Sequence, residues 1–150
     1  MPRAESTVRP AMSDTMPDKK SPEQDYQLYH LQLLHAFIEQ IEQQPPFTAV
    51  DCSEDDQQFL SDVKSLHQQI GQDFLHTGQL LLCRVVTSYP HLMPLLYRDL
   101  LWFFGGDCLH FMPDEEIARY QQLDELRHEA MRGGKDFSYR DERAKCFGLH

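Results

Sequence analysis

Glycine-rich loops, paired cysteines and long apolar runs are missing from this chain of 150 residues, and each absence excludes a class of protein. The seven glycines form neither a phosphate-binding loop nor the G-x-S-x-G turn that presents a catalytic serine. The apolar run Leu100–Phe104 falls far short of the ~20 residues that a transmembrane helix needs. We therefore expect neither a nucleotide-binding motif nor a membrane span.

The four cysteines are spread along the chain, at Cys52, Cys83, Cys108 and Cys146, with no C-x-x-C unit among them. Such spacing does not predict a disulfide framework or a zinc site. The N-terminus also lacks the charged and apolar segments of a signal peptide. These features together predict a soluble cytoplasmic protein whose cysteines are free and act as small apolar side chains.

Basic residues are scarce in the body of the chain. Residues 21–134 contain 18 acidic side chains but only 6 lysines and arginines, and Lys64 is their one lysine. The formal net charge of the whole chain is −10. Because an acidic surface repels phosphate groups, we expect nucleic acid and anionic membranes not to be partners.

Apolar side chains recur at helical spacing through most of the sequence, which predicts an all-α fold without strands. We interpret the pattern as a single helical domain, residues 21–134, with a disordered arm before it, residues 1–20, and a C-terminal tail after it, residues 135–150, that either docks or stays flexible. The expected architecture is a four-helix bundle with helices at about 21–43, 54–88, 93–111 and 113–132.

The ends of the first and last predicted helices carry specific signals. Ser21 is suited to the N-cap, Pro22 to the first helical position, and Gln24 to a capping box. At the other end of the domain, Pro113 opens the fourth helix, and Gly133 and Gly134 cap it.

The second predicted helix has the most regular pattern in the chain. Its apolar stripe steps by three or four residues without interruption, through Phe59, Val63, Leu66, Ile70, Phe74, Thr77, Leu81 and Val85. This regularity predicts one long helix that either bends near Gly71 or Gly78 or protrudes from the bundle.

A carboxylate precedes a histidine by three residues at three places: Asp73 and His76, Asp107 and His110, and Glu125 and His128. In di-iron helical bundles the same spacing puts two metal ligands on one helix face. A metal- or ligand-binding bundle that uses His30, Asp107, His110, Glu125 and His128 is therefore the alternative interpretation. The helical phase of Glu125 counts against it, because that side chain points away from the apolar face of its own helix.

The sequence contexts of two histidines, His30 and His128, suggest further interpretations. His30 lies within the apolar stripe of the first helix, which favours a core histidine over the ligand of a small-molecule pocket beside Trp102. His128, with Arg127 and Arg132 nearby, is the one histidine in a context compatible with a phosphorelay domain.

The predicted function follows from the surface rather than from a catalytic motif. Near the end of the second helix the apolar residues are too many for one small bundle to cover, at Leu80, Leu81, Leu82, Val85 and Val86. We therefore predict a regulatory or accessory protein, not an enzyme and without a cofactor, that acts through protein–protein interaction. These five residues are expected to form the interface of a homodimer.

Overall fold

The computed structural model describes residues 20–148, and all regular secondary structure in that part of the chain is helical. The α-helices are α1 (Pro22–Ile41), α2 (Glu54–Gln68), α3 (Phe74–Ser88), α4 (Arg98–Phe104), α5 (Asp114–Gly133) and α6 (Tyr139–Cys146), and two 3₁₀ segments span Pro90–Leu95 and Gly106–Phe111. The all-α prediction is confirmed, whereas eight helical segments replace the expected four. Except for Lys20, the predicted arm lies outside the described residues.

The predicted start of α1 and the predicted C-terminal end of α5 are confirmed by their cap geometry. The amide of Gln24 donates to the Ser21 hydroxyl at 3.1 Å, and the Ser21 amide donates to the Gln24 side chain at 3.0 Å. Gly134 ends α5 in the left-handed conformation, with a φ of 62°. Each cap satisfies backbone groups that the helix itself leaves unpaired.

The prediction of one long helix over residues 54–88 is wrong, because the chain leaves the helical conformation at Gln69 and resumes it at Phe74. α2 and α3 fold back on each other, so that Arg84 of α3 reaches the carbonyl of Asp55 at the start of α2. This antiparallel hairpin turns both halves of the apolar stripe toward one core. The apolar period therefore continues in the sequence although the helix is broken at residues 69–73.

The prediction of a continuous helix over residues 93–111 is also wrong. Its N-terminal part is a 3₁₀ segment that contains Pro94, and Gly105 separates the short α4 from the second 3₁₀ segment. Gly105 and Gly106 have φ angles of 67° and 58°, which a right-handed helix cannot include. The two glycines turn the chain at this point.

The C-terminal tail packs against the bundle through α6, which contacts α1 and α5. The Ser138 hydroxyl caps α6 by accepting from the Asp141 amide at 3.3 Å. Tyr139, the first residue of α6, is completely buried. The tail therefore contributes an aromatic ring to the core.

α1 lies at the centre of the packing, in contact with α2, α4, α5 and α6. The apolar faces of these helices meet around Phe37, Leu100 and Leu123, which are all fully buried. Within residues 20–148, no helix combines the length and the apolar character that a bilayer crossing requires.

Candidate functional site

His30 is a core histidine, completely buried within a cluster of aromatic rings. Its imidazole stacks on Phe103, with ring centroids 4.7 Å apart and an interplanar angle of 5°. Tyr26, Tyr29 and Tyr139 surround the remaining sides, with centroids 4.5, 5.2 and 5.0 Å from that of the imidazole. These four rings occupy the positions around the imidazole that a bound ligand would need.

The hydrogen bonding of His30 favours a neutral imidazole. The ring lies with Nδ1 2.8 Å from the Tyr26 carbonyl, to which a protonated Nδ1 donates, and Nε2 is buried without a hydrogen-bond partner in the described part of the chain. Burial lowers the pKa of His30 to about 4, although the hydrogen bond to Tyr26 and the nearby Asp99 oppose this shift. His30 is therefore neutral near pH 7.

Ion pairs close the aromatic cluster on two sides. The buried Asp99 of α4 accepts from Arg143 of α6, at 2.5 Å from Nε and 3.0 Å from Nη2. On α5, the guanidinium of Arg127 lies 4.0 Å from the centroid of the Tyr26 ring and pairs with Glu23. These contacts fasten α5 and α6 to the rest of the molecule, and both involve charges with little access to water.

The candidate metal ligands lie in separate places in the structure. Asp107 and His110 lie 3.9 Å apart on an exposed 3₁₀ segment, whereas Glu125 and His128 point outward from α5 and His30 is in the core. Among residues 20–148, no group of three or more histidine, cysteine, aspartate or glutamate side chains is arranged to hold a metal ion. The geometry therefore offers the metal-binding alternative no preformed site.

The buried thiol of Cys108 is also unsuited to nucleophilic chemistry. It lies 3.8 Å from the carbonyl of Gln79. Burial, together with the neighbouring thiol of Cys83, raises the pKa of Cys108 to about 12. Since the thiolate is the reactive form, Cys108 is inert at neutral pH.

The five residues of the predicted interface do not share one surface. Leu81, Leu82 and Val85 are buried in the core of the single chain, and Val86 is half-buried. Only Leu80 is largely exposed, at 60%. The break between α2 and α3 explains this outcome, because it lets α3 pack along α2 and α4 instead of extending past them.

An open groove of about 750 Å³ lies along the hairpin of α2 and α3. We call it the hairpin groove, and its walls come from α2, the connection and α3: Asp62, Ser65, Leu66, Gln68, Gln69, Ile70, Gly71, Gln72, Asp73, Phe74, Thr77, Leu80 and Leu81. Two large apolar side chains of the lining, Ile70 and Leu80, are exposed to solvent, and Leu75, also exposed, lies on α3 outside the lining. This concentration of exposed apolar area is the main surface feature of the hairpin.

The hairpin groove is acidic at both walls. Asp62 lies on the α2 side and Asp73 at the start of α3, and none of the described lysine, arginine or histidine residues contributes to the lining. Lys64 points elsewhere and pairs with Glu42 at 2.9 Å. Arg84 lies over the ring of Phe59. A ligand in the groove therefore meets apolar side chains flanked by carboxylates.

In the described part of the chain, fold and groove together define an all-helical protein with an open groove on a helical hairpin, lined by polar and apolar side chains that include two aspartates. Residues 22–149 match the model of the PA2817-like family, and the chain belongs to that family. Comparison with curated proteins found no match. Comparison with solved structures found none either.

Proposed function

We propose that this protein acts in the cytoplasm through protein–protein interaction and that the hairpin groove is its contact surface. The observation that carries this proposal is the presence of two apolar side chains, Ile70 and Leu80, that are more than half exposed in the lining of an open groove. Exposed apolar side chains grouped in this way are typical of binding surfaces. A groove between two helices suits a third helix from a partner.

The reactive side chains support a binding role over catalysis. His30 and Cys108 are buried with pKa values shifted toward their neutral forms, so neither is available to a substrate at neutral pH. The carboxylate–histidine pair Asp107 and His110 is open to solvent on both sides. A general acid or base works best in a site that shields it from water, and these groups lack one.

Affinity enrichment from native cells tests the proposal with three baits: the wild type, Leu80→Glu and Leu28→Glu. Leu28 is an exposed leucine of α1 outside the groove and serves as the matched control. We expect a partner that co-purifies with the wild type and with Leu28→Glu but is lost with Leu80→Glu. Identical sets of co-purifying proteins for all three baits would contradict the role of the groove.

The predicted homodimer would use the same surface and is a second proposal. A second copy could cover Leu80 and Ile70, which line the groove and are exposed. Sedimentation equilibrium should then give a mass near twice 17.6 kDa for the wild type and a lower mass for Leu80→Glu. A wild type that stays monomeric at high micromolar concentration would exclude the homodimer and leave the groove to a different protein.

A further inference from the structure

We propose that the hairpin groove binds a basic amphipathic helix of another protein. This inference rests on the proposed function and adds the chemistry of the partner. Three observations carry it: the shape of the groove, the sign of its charge, and the position of its exposed apolar side chains.

The shape of the groove matches a helix. α2 and α3 run antiparallel, as shown by the contact of Arg84 with Asp55 and by the hydrogen bond of 2.5 Å from Tyr89 to Asp56. On α3 the wall residues Phe74, Thr77 and Leu81 are three and four positions apart, and on α2 Asp62 lies three positions before Ser65 and four before Leu66. Two such rows form the furrow into which the side chains of a third helix pack.

The charge of the groove selects a basic occupant. Asp62 accepts one hydrogen bond, from Gln58 at 2.8 Å. Within residues 20–148, the Asp73 side chain has neither an ion-pair partner nor a role in capping α3. Since no described residue of the lining is a cation, both carboxylates can pair with lysine or arginine residues of a partner.

The same charges disfavour a second copy of the chain as the occupant. A symmetric pairing of two hairpin grooves brings Asp62 and Asp73 of one copy against the same residues of the other. The hairpin as a whole, residues 54–88, contains five acidic residues and two basic ones. Like charges across an interface oppose association, so a basic partner fits the groove better than a copy of itself.

The exposed apolar side chains provide the anchor points. Leu80 on the α3 wall and Ile70 on the connection are 60% and 53% exposed. Because these two side chains already lie at the groove, an incoming leucine or isoleucine buries them without rearrangement of the core. The expected partner helix therefore has an apolar stripe with lysine or arginine residues along its edges.

Three model peptides of about 18 residues test the inference, since this length gives a helix of about five turns. All three have the same leucine stripe, and their polar positions are filled with lysine, glutamine or glutamate. Fluorescence anisotropy at physiological salt measures their dissociation constants for the full chain. We expect the lysine peptide to bind most tightly and the glutamate peptide to bind most weakly.

Variants of the groove locate the binding. Asp62→Asn combined with Asp73→Asn should weaken the lysine peptide about tenfold, whereas Glu125→Gln with Glu129→Gln on the outer face of α5 should leave it unchanged. Leu80→Gln, which removes an apolar contact without adding charge, should weaken all three peptides, while Leu28→Gln should not. Circular dichroism confirms that each variant is folded before its affinity is compared.

The outcomes separate the inference from the proposed function. Equal binding of the lysine and glutamine peptides, with no effect of the aspartate substitutions but a loss with Leu80→Gln, would overturn the basic partner and keep the groove as a binding surface. Binding that Leu80→Gln does not change, or no binding at all, would overturn both. Self-association of the wild type that the lysine peptide cannot displace would assign the groove to a second copy.

Discussion

The hairpin of α2 and α3 and the aromatic cluster around His30 differ in how their apolar side chains meet solvent. In the cluster, Tyr26, Phe103 and Tyr139 are at most 8% exposed, and their contacts join α1, α4 and α6. The hairpin instead leaves Ile70 and Leu80 more than half exposed. The cluster therefore stabilises the fold, whereas the outer face of the hairpin is available for recognition.

Charged residues show the same contrast. In the cluster, Asp99 pairs with Arg143 and Arg127 pairs with Glu23, so each buried charge has a partner. At the hairpin groove, Asp73 has no such partner in the described part of the chain. A paired charge near the core fixes the position of a helix, and an unpaired carboxylate at the surface can bind a cation from outside.

The largest effect is expected where the two regions meet, at Phe74. This buried ring of α3 contacts Phe103 and Phe104 of α4. Phe74→Asp should unfold the protein, because an unpaired buried charge costs several kcal/mol, on the order of the whole stability of a small domain. Circular dichroism measures the helix content, and Gln68→Asp, at the exposed last residue of α2, is the control. Near-native melting of Phe74→Asp would contradict the packing of α3.

The second effect is acid destabilisation through His30. Its pKa is lowered from 6.5 to about 4 in the folded chain, so the unfolded chain takes up the proton first as the pH falls. The stabilisation that depends on the neutral His30 is fully present above pH 6.5. It is lost progressively as the pH falls from 6.5 to about 4, by about 3 kcal/mol in total. Urea unfolding at several pH values measures the loss.

His30→Phe is the control for this pH dependence, since it keeps a planar ring against Phe103. The difference in unfolding free energy between the wild type and the variant isolates the imidazole from the carboxylates that titrate in the same range. Asp99 and Asp124 favour the protonated imidazole, and Arg127 disfavours it. Parallel pH profiles for the two proteins would show that His30 is not buried as described.

The third effect concerns the attachment of α6. Asp99→Ala removes the buried partner of Arg143 and should destabilise the protein by about 2–3 kcal/mol, since a little-exposed guanidinium loses both hydrogen bonds. Hydrogen exchange should then accelerate in residues 139–146 more than in α2. Exchange that accelerates equally in both helices would mean that this pair does not hold α6 in particular.

The fourth effect distinguishes two glycines of the hairpin. At Gly78, an added Cβ would lie 2.1 Å from the ring of Phe104, so Gly78→Ala should cost about 2 kcal/mol. At Gly71, an added Cβ meets nothing within 4 Å, and Gly71→Ala should change the stability by less than about 0.5 kcal/mol. Thermal unfolding compares the two. Equal melting temperatures would contradict the close approach of α3 to α4.

The smallest effect on stability is expected at Leu80. Because this side chain is 60% exposed, Leu80→Glu should change the free energy of unfolding by less than about 0.5 kcal/mol. The same substitution in the neighbouring Leu81, which is buried, should cost several kcal/mol. A large loss of stability in Leu80→Glu would place this residue in the core and remove it from the recognition surface.

Local sequence signals predicted the ends of α1 and α5, because a cap depends on a few neighbouring residues. Ser21 with Gln24 and the positive φ of Gly134 are of this kind. A bend near Gly71 was among the expected alternatives, but the reversal of the chain at residues 69–73 was not predicted, because α2 and α3 both face the same core and the apolar period continues across the connection. Gly71 was the local sign that the helix could end there, since glycine is a poor helix former.

Pairings between distant residues escaped prediction for a different reason. Asp99 and Arg143 are 44 positions apart, and nothing in either local sequence marks them as partners. The groove was missed in the same way, since Asp62 and Leu80 share a surface only after the hairpin has formed. For the predicted interface, composition identified an excess of apolar residues on α3, but the fold decided that Leu81 and Leu82 are buried and Leu80 is not.

The most direct test of the account is an NMR titration of the isotope-labelled protein with the lysine and leucine peptide. If the hairpin groove is the recognition surface, the amide shifts will change mainly between Asp62 and Leu81, and those of His30 and Tyr139 will stay in place. Shifts concentrated around the aromatic cluster, or none in the hairpin at saturating peptide, would contradict the division of roles between the two regions.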